Sequence, residues 1–271
     1  MWEGLKNIQD DILRQKVKGS FIDPSLSKHS PLPFLFSLLS LIMGCIMTYT
    51  YYNIYEISID YSSTNKFYIY LPKSTVYFYI QIDNFYQSNL KYSKSISYDQ
   101  LKGERDTNSS MTSPLDYKNG KVYYPAGILP NTFLQDKFTI KNLEINQKDI
   151  SYKSMRKKIK KSGYERNEVI PPPSWRRYKK IPDLYKNQRF INWIYTAPFY
   201  SFRKLWGVIK VEKEGVYELE IESRFPYGNK KVFFSESSWV GTKNYFLSYL
   251  LIIMGTIGII FTYFIYQKVF D

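Results

Sequence analysis

Two apolar runs without a charged residue lie near opposite ends of the chain, at residues 34–52 and 245–266. At about 1.5 Å of rise per helical residue they reach roughly 28 and 33 Å, which matches a bilayer hydrocarbon core of about 30 Å. The pattern predicts two transmembrane helices with one large domain between them. Because there are two crossings, both ends of the chain are expected on the same side of the membrane.

Small residues recur along one face of each apolar run, every four residues in the first run and mainly every seven in the second. Small residues let helix backbones approach closely, so we predict that these faces pack on a partner; the alternative is the ordinary glycine and serine content of membrane helices. Neither run has an ionisable side chain, which argues against a carrier or pump acting alone. The predicted packing face consists of Ser40, Gly44, Thr48, Ser248, Gly255, Gly258 and Thr262.

Between the two runs the pattern is typical of β-strands. Residues 76–82 are aromatic and β-branched, whereas residues 217–222 alternate apolar side chains with glutamates. Glu214 and Gly215 indicate a hairpin turn between the strand at 208–211 and the one that follows. A further strand is predicted at residues 231–235, helices are predicted at 85–98 and 187–195, and Pro171–Pro173 indicate an extended segment.

The chain is basic, with 38 lysines and arginines against 24 aspartates and glutamates, a formal net charge of +14. Residues 155–161 form the strongest basic cluster. It is interpreted either as a site for anionic lipid or an acidic partner, or as a solvated, mobile loop. Cys45 is the only cysteine and lies in the first apolar run, where it is expected to be a packing residue. The domain between the runs is therefore expected to have no disulfide.

Signals for catalysis are weak. His29 is the only histidine and precedes the first apolar run, which excludes Ser-His-Asp and Cys-His arrangements in the large domain. No His/Cys metal spacing, P-loop or dinucleotide fingerprint is present, and the spacing of carboxylates such as Asp116 and Asp136 does not support an acid–base pair. We predict a protein that is not an enzyme, with no cofactor, no metal and no nucleic acid partner. Asn108 begins the only glycosylation sequon.

Several segments appear in the order characteristic of one protein family. Residues 79–89 read YIQIDNFYQSN, which resembles a signature of that family. The other segments are residues 57–61, 125–127, 171–175, 202–205, 215–217 and 238–244. From residue 33 to 266 the chain resembles the ligand-effect-modulator family, the accessory (β) subunits of type IV P-type ATPase lipid flippases.

The resemblance implies a two-pass α-helical membrane protein with a mainly β exoplasmic domain. That domain would have an antiparallel β-sandwich core with helical and extended insertions. The implied organisation is a cytosolic tail at 1–32, a transmembrane helix at 33–52, the exoplasmic domain at 53–244, a second transmembrane helix at 245–266 and a cytosolic tail at 267–271.

The resemblance also implies a role and a partner. The protein would form a heterodimer with the catalytic subunit of a type IV P-type ATPase, in contact with membrane lipids. It would stabilise that subunit, allow its export from the endoplasmic reticulum and support phospholipid transport. The implied location is an integral membrane position between the endoplasmic reticulum and the Golgi, endosomal or plasma membrane.

Candidate site residues follow from the family segments, and each has two interpretations. Residues 83–86 are either a partner surface or a structural corner. The two charges at residues 203 and 204 either meet acidic loops of the partner, or the arginine is buried and satisfies backbone carbonyls. Residues 238, 239 and 244 either anchor the domain at the membrane interface or form its junction with the second helix. The candidates are Asp83, Asn84, Phe85, Tyr86, Arg203, Lys204, Ser238, Trp239 and Asn244.

The chain departs from the family pattern, and one other class of protein remains open. Ala126 stands where family members carry a disulfide cysteine, so the loops near Asn108 and Ala126 are expected to be looser or held by packing. Thr242 and Tyr245 replace a usual glycine and proline. The alternative is a two-span channel subunit with a large outer domain, although such domains are typically cysteine-rich.

Overall fold

The structure, a computed structural model, describes residues 13–14, 31–105 and 109–270. Asn108, the candidate glycosylation site, lies outside the described residues. The chain divides into two compact units, one from Met1–Thr50 with Asn244–Asp271 and one from Tyr51–Lys243. The helices are α1 (Pro31–Tyr52), α2 (Leu90–Lys94), α3 (Tyr98–Lys102), α4 (Ile128–Asn131), α5 (Lys153–Lys158), α6 (Gln188–Ile194) and α7 (Tyr245–Phe270). The strands are β1 (Glu56–Tyr61), β2 (Asn65–Leu71), β3 (Thr75–Asp83), β4 (Tyr117–Lys118), β5 (Lys121–Tyr123), β6 (Lys137–Ile140), β7 (Val169–Ile170), β8 (Phe202–Lys210), β9 (Gly215–Glu222) and β10 (Asn229–Ser235).

The first unit is built from the two apolar helices. Both α1 and the Tyr245–Tyr266 part of α7 are long and apolar enough to cross a membrane. The helix bounds extend beyond the predicted spans, since α1 starts at Pro31 and α7 continues to Phe270.

The small-residue faces of the two helices pack on each other. A Cβ placed on Gly44 would lie 2.9 Å from the Ser248 carbonyl oxygen, and one on Gly255 would lie 2.7 Å from the Leu41 backbone nitrogen. These distances are too short for a side chain, so only glycine permits this approach of the backbones. The hydroxyl of Ser40 donates a hydrogen bond across the same contact to the Leu251 carbonyl, at 2.9 Å.

This contact corrects the prediction that the small faces pack on a partner. Gly44, Gly255 and Gly258 all face the other helix of the same chain, and the Thr48 and Thr262 hydroxyls bond carbonyls within their own helices. The periodicity shows that one face is small. It does not show which helix covers that face, and here the covering helix is the chain's own.

The second unit contains two antiparallel sheets that share one core. Their strand orders are β1-β10-β3-β8 and β2-β9-β6. Phe78 of the first sheet meets Phe138 of the second edge to face, with ring centroids 5.2 Å apart. Strand β3 alternates as expected for a half-buried strand, with Phe78, Ile80 and Ile82 fully buried and the intervening residues partly exposed. A mainly β domain between two apolar helices is therefore confirmed.

A third, small sheet has the order β4-β5-β7, in which β5 and β7 run parallel. The predicted strands at 76–82, 217–222 and 231–235 lie within β3, β9 and β10, and the predicted helix at 187–195 contains α6. The helix predicted at 85–98 is wrong: only α2 and the first residue of α3 are helical there. Asn89 and Ser97 explain the break, because their side chains accept hydrogen bonds from backbone N–H groups and start separate helices.

The hairpin predicted at Glu214 and Gly215 is also wrong. Strand β8 pairs with β3 in the first sheet, whereas β9 pairs with β2 and β6 in the second. The turn therefore carries the chain from one sheet to the other. A glycine signals a reversal of direction, but pairing depends on which strands arrive beside it from elsewhere in the sequence.

A buried ion pair connects the two sheets. Lys230 of β10 and Asp136, which precedes β6, have side chains 4% and 0% exposed, with Nζ and Oδ2 3.0 Å apart. Asp136 also accepts from the Tyr61 hydroxyl at 2.9 Å and from the backbone N–H groups of Arg224 and Phe225 at 2.5 and 2.6 Å. Burial and the adjacent carboxylate raise the pKa of Tyr61, so its hydroxyl stays a donor.

The Lys230 ammonium also donates hydrogen bonds to two groups other than Asp136. It donates to the Phe225 carbonyl at 2.8 Å and to the Ser223 hydroxyl. The site thus joins β1 and β10 of one sheet to the ends of β6 and β9 of the other, with each partner hydrogen-bonded.

Replacing Asp136 with Asn would leave the Lys230 ammonium buried without its counter-charge. We expect the free energy of unfolding to fall by about 3–5 kcal/mol, the range for one-sided loss of a buried ion pair. Thermal unfolding of the full chain measures the change. The matched control is Lys66→Met, which removes an exposed pair with Glu218 at 3.1 Å and should cost less than about 1 kcal/mol. Equal losses in the two variants would contradict a structural role for the buried pair.

Candidate functional site

The segment from Asp83 to Tyr86 turns sharply where β3 ends. Asn84 has φ +59°, a left-handed conformation that asparagine tolerates better than most residues. Asp83 Oδ1 accepts hydrogen bonds from the Ser201 hydroxyl at 2.5 Å and from the Gln81 amide at 2.8 Å. Partial burial opposes ionisation, but these bonds and nearby cationic side chains hold the pKa of Asp83 below its ordinary value. The carboxylate is therefore a fixed acceptor at the corner.

Phe85 turns inward and fills the space beneath this corner. Its ring meets Tyr92 and Phe225 edge to face, both at 5.6 Å between centroids. Such contacts add to the free energy of burial. Three more rings surround it: Tyr227 at 5.9 Å, Trp193 at 6.3 Å and Phe202 at 6.4 Å. These contacts favour the structural interpretation of Phe85.

The loop at residues 195–201, between α6 and β8, is bound directly to this corner. The Phe85 N–H donates to the Tyr200 carbonyl at 3.1 Å, and the Ala197 N–H donates to Gln87 Oε1 at 3.0 Å. Together with the bond from Ser201 to Asp83, these links hold two segments that are more than 100 positions apart in the sequence.

Large aromatic side chains remain exposed on the outside of this junction. Tyr86 and Tyr200 are 62% and 54% exposed with ring centroids 5.8 Å apart, and Phe199 is 71% exposed. We call Tyr86, Phe199 and Tyr200 the aromatic edge. Exposed aromatic groups on a well-anchored backbone are typical of surfaces that bind a partner. Phe199 and Tyr200 were not among the residues predicted from the sequence, although aromatic residues beside Pro198 are a signal for an exposed loop.

Lys204 is buried and holds the start of the same loop. Its Nζ donates to the Asn192 carbonyl at 3.1 Å and to the Tyr195 carbonyl, so the ammonium caps the C-terminal end of α6. Burial lowers the pKa of Lys204 to about 8. The buried cation that satisfies backbone carbonyls is therefore Lys204, whereas one of the two interpretations from the sequence gave that role to the arginine beside it.

Arg203 points to the opposite face of β8 and is partly exposed. Its guanidinium lies 3.6 Å from the centroid of the Phe233 ring, and its Nε donates to Gln81 Oε1 at 2.9 Å. An ion pair with Glu56 at 3.5 Å completes its contacts. The side chain therefore bridges β8, β3, β10 and β1 on the outer face of the first sheet.

The last candidate residues lie in different units of the chain, Ser238 and Trp239 in the β domain and Asn244 in the helical unit. Ser238 and Gly241 form a tight turn with two backbone hydrogen bonds of 3.0 Å, and Trp239 at its tip is 68% exposed. In the helical unit, Asn244 Oδ1 accepts from the Phe246 N–H at 3.1 Å, which makes Asn244 the N-cap of α7. Asn244 thus has a local role in starting the second apolar helix.

Among residues 13–14, 31–105 and 109–270, no group of three or more His, Cys, Asp or Glu side chains could hold a metal ion. The arrangement around the corner consists of satisfied hydrogen bonds, packed rings and exposed aromatics. It can fix a surface in place, and this is the property expected of a binding site.

Comparison with known proteins gives consistent matches. The CDC50 family model, described as "LEM3 (ligand-effect modulator 3) family / CDC50 family", matches residues 56–270. The chain is 28% identical over 218 residues to the phospholipid-transporting ATPase accessory subunit LEM3 of Saccharomyces cerevisiae, covering 68% of this chain and 52% of that protein. It is 29% identical over 220 residues to the phospholipid-transporting ATPase accessory subunit CDC50 of Chaetomium thermophilum, covering 69% and 54%.

A plant relative has a similar sequence identity to the chain. The chain is 30% identical over 201 residues to the putative ALA-interacting subunit 4 of Arabidopsis thaliana, covering 68% of this chain and 59% of that protein. The chain spans about half the length of the curated relatives it matches.

The burial of Lys204 predicts a specific dependence of stability on pH. Between about pH 8, its pKa in the folded state, and its ordinary pKa of 10.5, the unfolded state binds more protons than the folded state. The free energy of unfolding should therefore rise with pH across this window, by up to about 3 kcal/mol, and this contribution is lost as the pH falls back through 8. Lys204→Met removes the titration, so chemical denaturation of wild type and variant at both ends of the window isolates it.

The matched control for this measurement is Lys210→Met, on an exposed lysine of the same strand. That variant should follow the wild type at every pH. A difference between wild type and Lys204→Met that stays constant across the window would contradict the lowered pKa.

Proposed function

Because the chain belongs to the LEM3/CDC50 family, we propose that it is a non-catalytic accessory (β) subunit of a type IV P-type ATPase that transports phospholipids. The observation that carries this proposal is the extent of the family match, from the first strand of the β domain to the last residue of α7. Relatives in fungi are named accessory subunits of phospholipid-transporting ATPases.

In this role the subunit would stabilise its ATPase, support its export from the endoplasmic reticulum and assist its transport cycle. A partner that binds only the folded state of a protein stabilises that state by mass action. Two apolar helices and a compact β domain would offer the ATPase separate points of attachment, in the membrane and outside it. The residues needed for catalysis would then belong to the ATPase, which agrees with a large domain that has neither histidine nor cysteine.

The proposal includes an orientation, with both termini in the cytosol and the β domain on the exoplasmic side. A long loop between two spans translocates largely regardless of its charge, which supports this placement of residues 53–244. Protease digestion of sealed microsomes measures it with epitope tags on both ends. We expect both tags to be digested and the β domain to be protected; a protected tag at either end would contradict the orientation.

The aromatic edge is the surface that we assign to the partner. Tyr86, Phe199 and Tyr200 are exposed on segments whose backbone is held at Tyr86, Ala197 and Tyr200 by hydrogen bonds, so binding would order few additional groups. Aromatic residues also contribute more than most to the free energy of binding.

Affinity purification of the tagged full chain in mild detergent tests the function. We expect a type IV P-type ATPase to be recovered with it and identified by mass spectrometry. Repeated recovery of the chain without any such ATPase, or as a homo-oligomer only, would contradict the proposal. The second result would favour a channel subunit.

Variants of the aromatic edge test the assigned surface in the same experiment. Replacing Tyr86, Phe199 and Tyr200 with Ser should reduce recovery of the ATPase by about tenfold or more, as expected for loss of interface hot spots. The control replaces Tyr68 and Tyr117 with Ser in the same way. These two tyrosines are 75% and 57% exposed and lie elsewhere on the domain. Equal recovery with both sets would place the interface on another surface and leave the proposed function intact.

A further inference from the structure

A cavity of about 620 Å³ lies beside the basic run at residues 155–161. Its floor is apolar and is formed by Leu101, Ile159 and Ile194, all at least 95% buried. Tyr98, Met155 and lysine side chains from the run and from the end of α3 line the rest. We call this the lysine cavity, and its lysines are Lys102, Lys157, Lys158 and Lys160.

The basic run is fixed to the domain and is not a free loop. Ile159 is only 5% exposed, and the Lys160 N–H donates to the Leu101 carbonyl at 2.8 Å. Gly103, at φ +89°, lets the run pass so closely that any Cβ there would collide with the Lys161 carbonyl oxygen. The lysines are therefore displayed from an anchored backbone, which reduces the entropy lost when they bind a ligand.

Carboxylates neutralise the neighbouring cations but not the central lysines. Arg156 pairs with Asp149 at 2.7 Å, and Lys102 pairs with Asp99 at 3.1 Å. Within the part of the chain that the structure describes, Lys157, Lys158 and Lys160 form no ion pair with any carboxylate. Like charges around one concave surface raise its positive potential and attract anions.

A second basic segment reinforces this potential from another part of the sequence. Lys161, Arg166, Lys179 and Lys180 line a separate cavity of about 270 Å³, in which Asp183 is the acidic residue. The basic run therefore contributes lysines to two cavities, each of which also contains residues from another part of the sequence.

We propose that the lysine cavity binds a small amphiphilic phosphate, with the phosphate at the lysines and a short hydrocarbon group on the apolar floor. The volume lies in the range of small-molecule sites, and an apolar surface with a few convergent charged groups is the usual composition of such sites. Lysine ammonium groups bind phosphate oxygens as strong point charges. This site is separate from the aromatic edge and does not depend on the proposed function.

Calorimetric titration of the full chain in phosphatidylcholine nanodiscs tests the proposal, with hexyl phosphate as the probe. The variant Lys157→Gln, Lys158→Gln, Lys160→Gln should weaken binding by about tenfold, because it removes three favourable charge interactions. The matched control changes Lys94, Lys118 and Lys210, three exposed lysines elsewhere, to Gln and should bind as the wild type does. Inorganic phosphate and hexanol should each bind at least about tenfold more weakly than hexyl phosphate, since each lacks one half of the ligand.

Several outcomes would overturn the proposal. Equal binding of hexyl phosphate to the cavity variant and the wild type would show that the lysines are not the site. If hexanol binds as strongly as hexyl phosphate, the charge of the phosphate does not contribute to binding. If inorganic phosphate binds as strongly as hexyl phosphate, the apolar floor does not contribute. An acidic peptide that binds at these lysines while hexyl phosphate does not would assign the surface to a protein partner.

Discussion

The ion pair between Asp136 and Lys230 is the interaction on which the arrangement of the two sheets depends. Two charges removed from water are costly unless every remaining donor and acceptor is satisfied, and here they are, by Tyr61, Ser223 and the backbone at 224–225. These partners come from the ends of four strands in both sheets. A shift of either sheet along its strands would leave a buried charge unpaired, so the network selects one register. A chain whose single cysteine lies in α1 has to obtain this selectivity without a disulfide.

A second buried polar group holds the loop in which Ala126 stands at the position of a disulfide cysteine in the family pattern. The Gln100 side chain accepts from the Ala126 N–H at 2.9 Å and donates to the Tyr123 carbonyl at 3.2 Å. Gly127 follows at φ +111°, where any Cβ would collide with the Ser95 carbonyl. The residues around Ala126 are therefore held by hydrogen bonds and close backbone packing. A covalent link constrains the unfolded chain, whereas this amide acts only in the folded state.

The sequence was sufficient for elements whose pattern is local. Strand β3 was predictable because β-branched and aromatic residues alternate between a buried and a half-buried face. Helix α6 was predictable because Asn187 caps an apolar helical turn. The crossing from β8 to β9 was not, because strand pairing is decided by segments such as β2 and β3 that lie far away in the chain. The burial of Lys204 and the contacts of Ala197 and Tyr200 with residues 83–87 could not be predicted for the same reason: each depends on contacts between distant segments.

The two apolar helices were also predictable from a local pattern, whereas their contact with each other was not. This contact limits how the two helices can bind another protein. Their small residues are occupied by the contact between α1 and α7, in which glycines allow the backbones to touch. The surfaces left outside carry large apolar side chains, such as Phe36 at 68% and Phe261 at 63% exposed. Without a hydrophobic driving force in the bilayer, helices associate through close packing, which large side chains achieve only against a complementary groove. A transmembrane partner of the α1–α7 pair therefore has to provide that groove, and its shape, more than any polar contact within the membrane, would determine which partner fits.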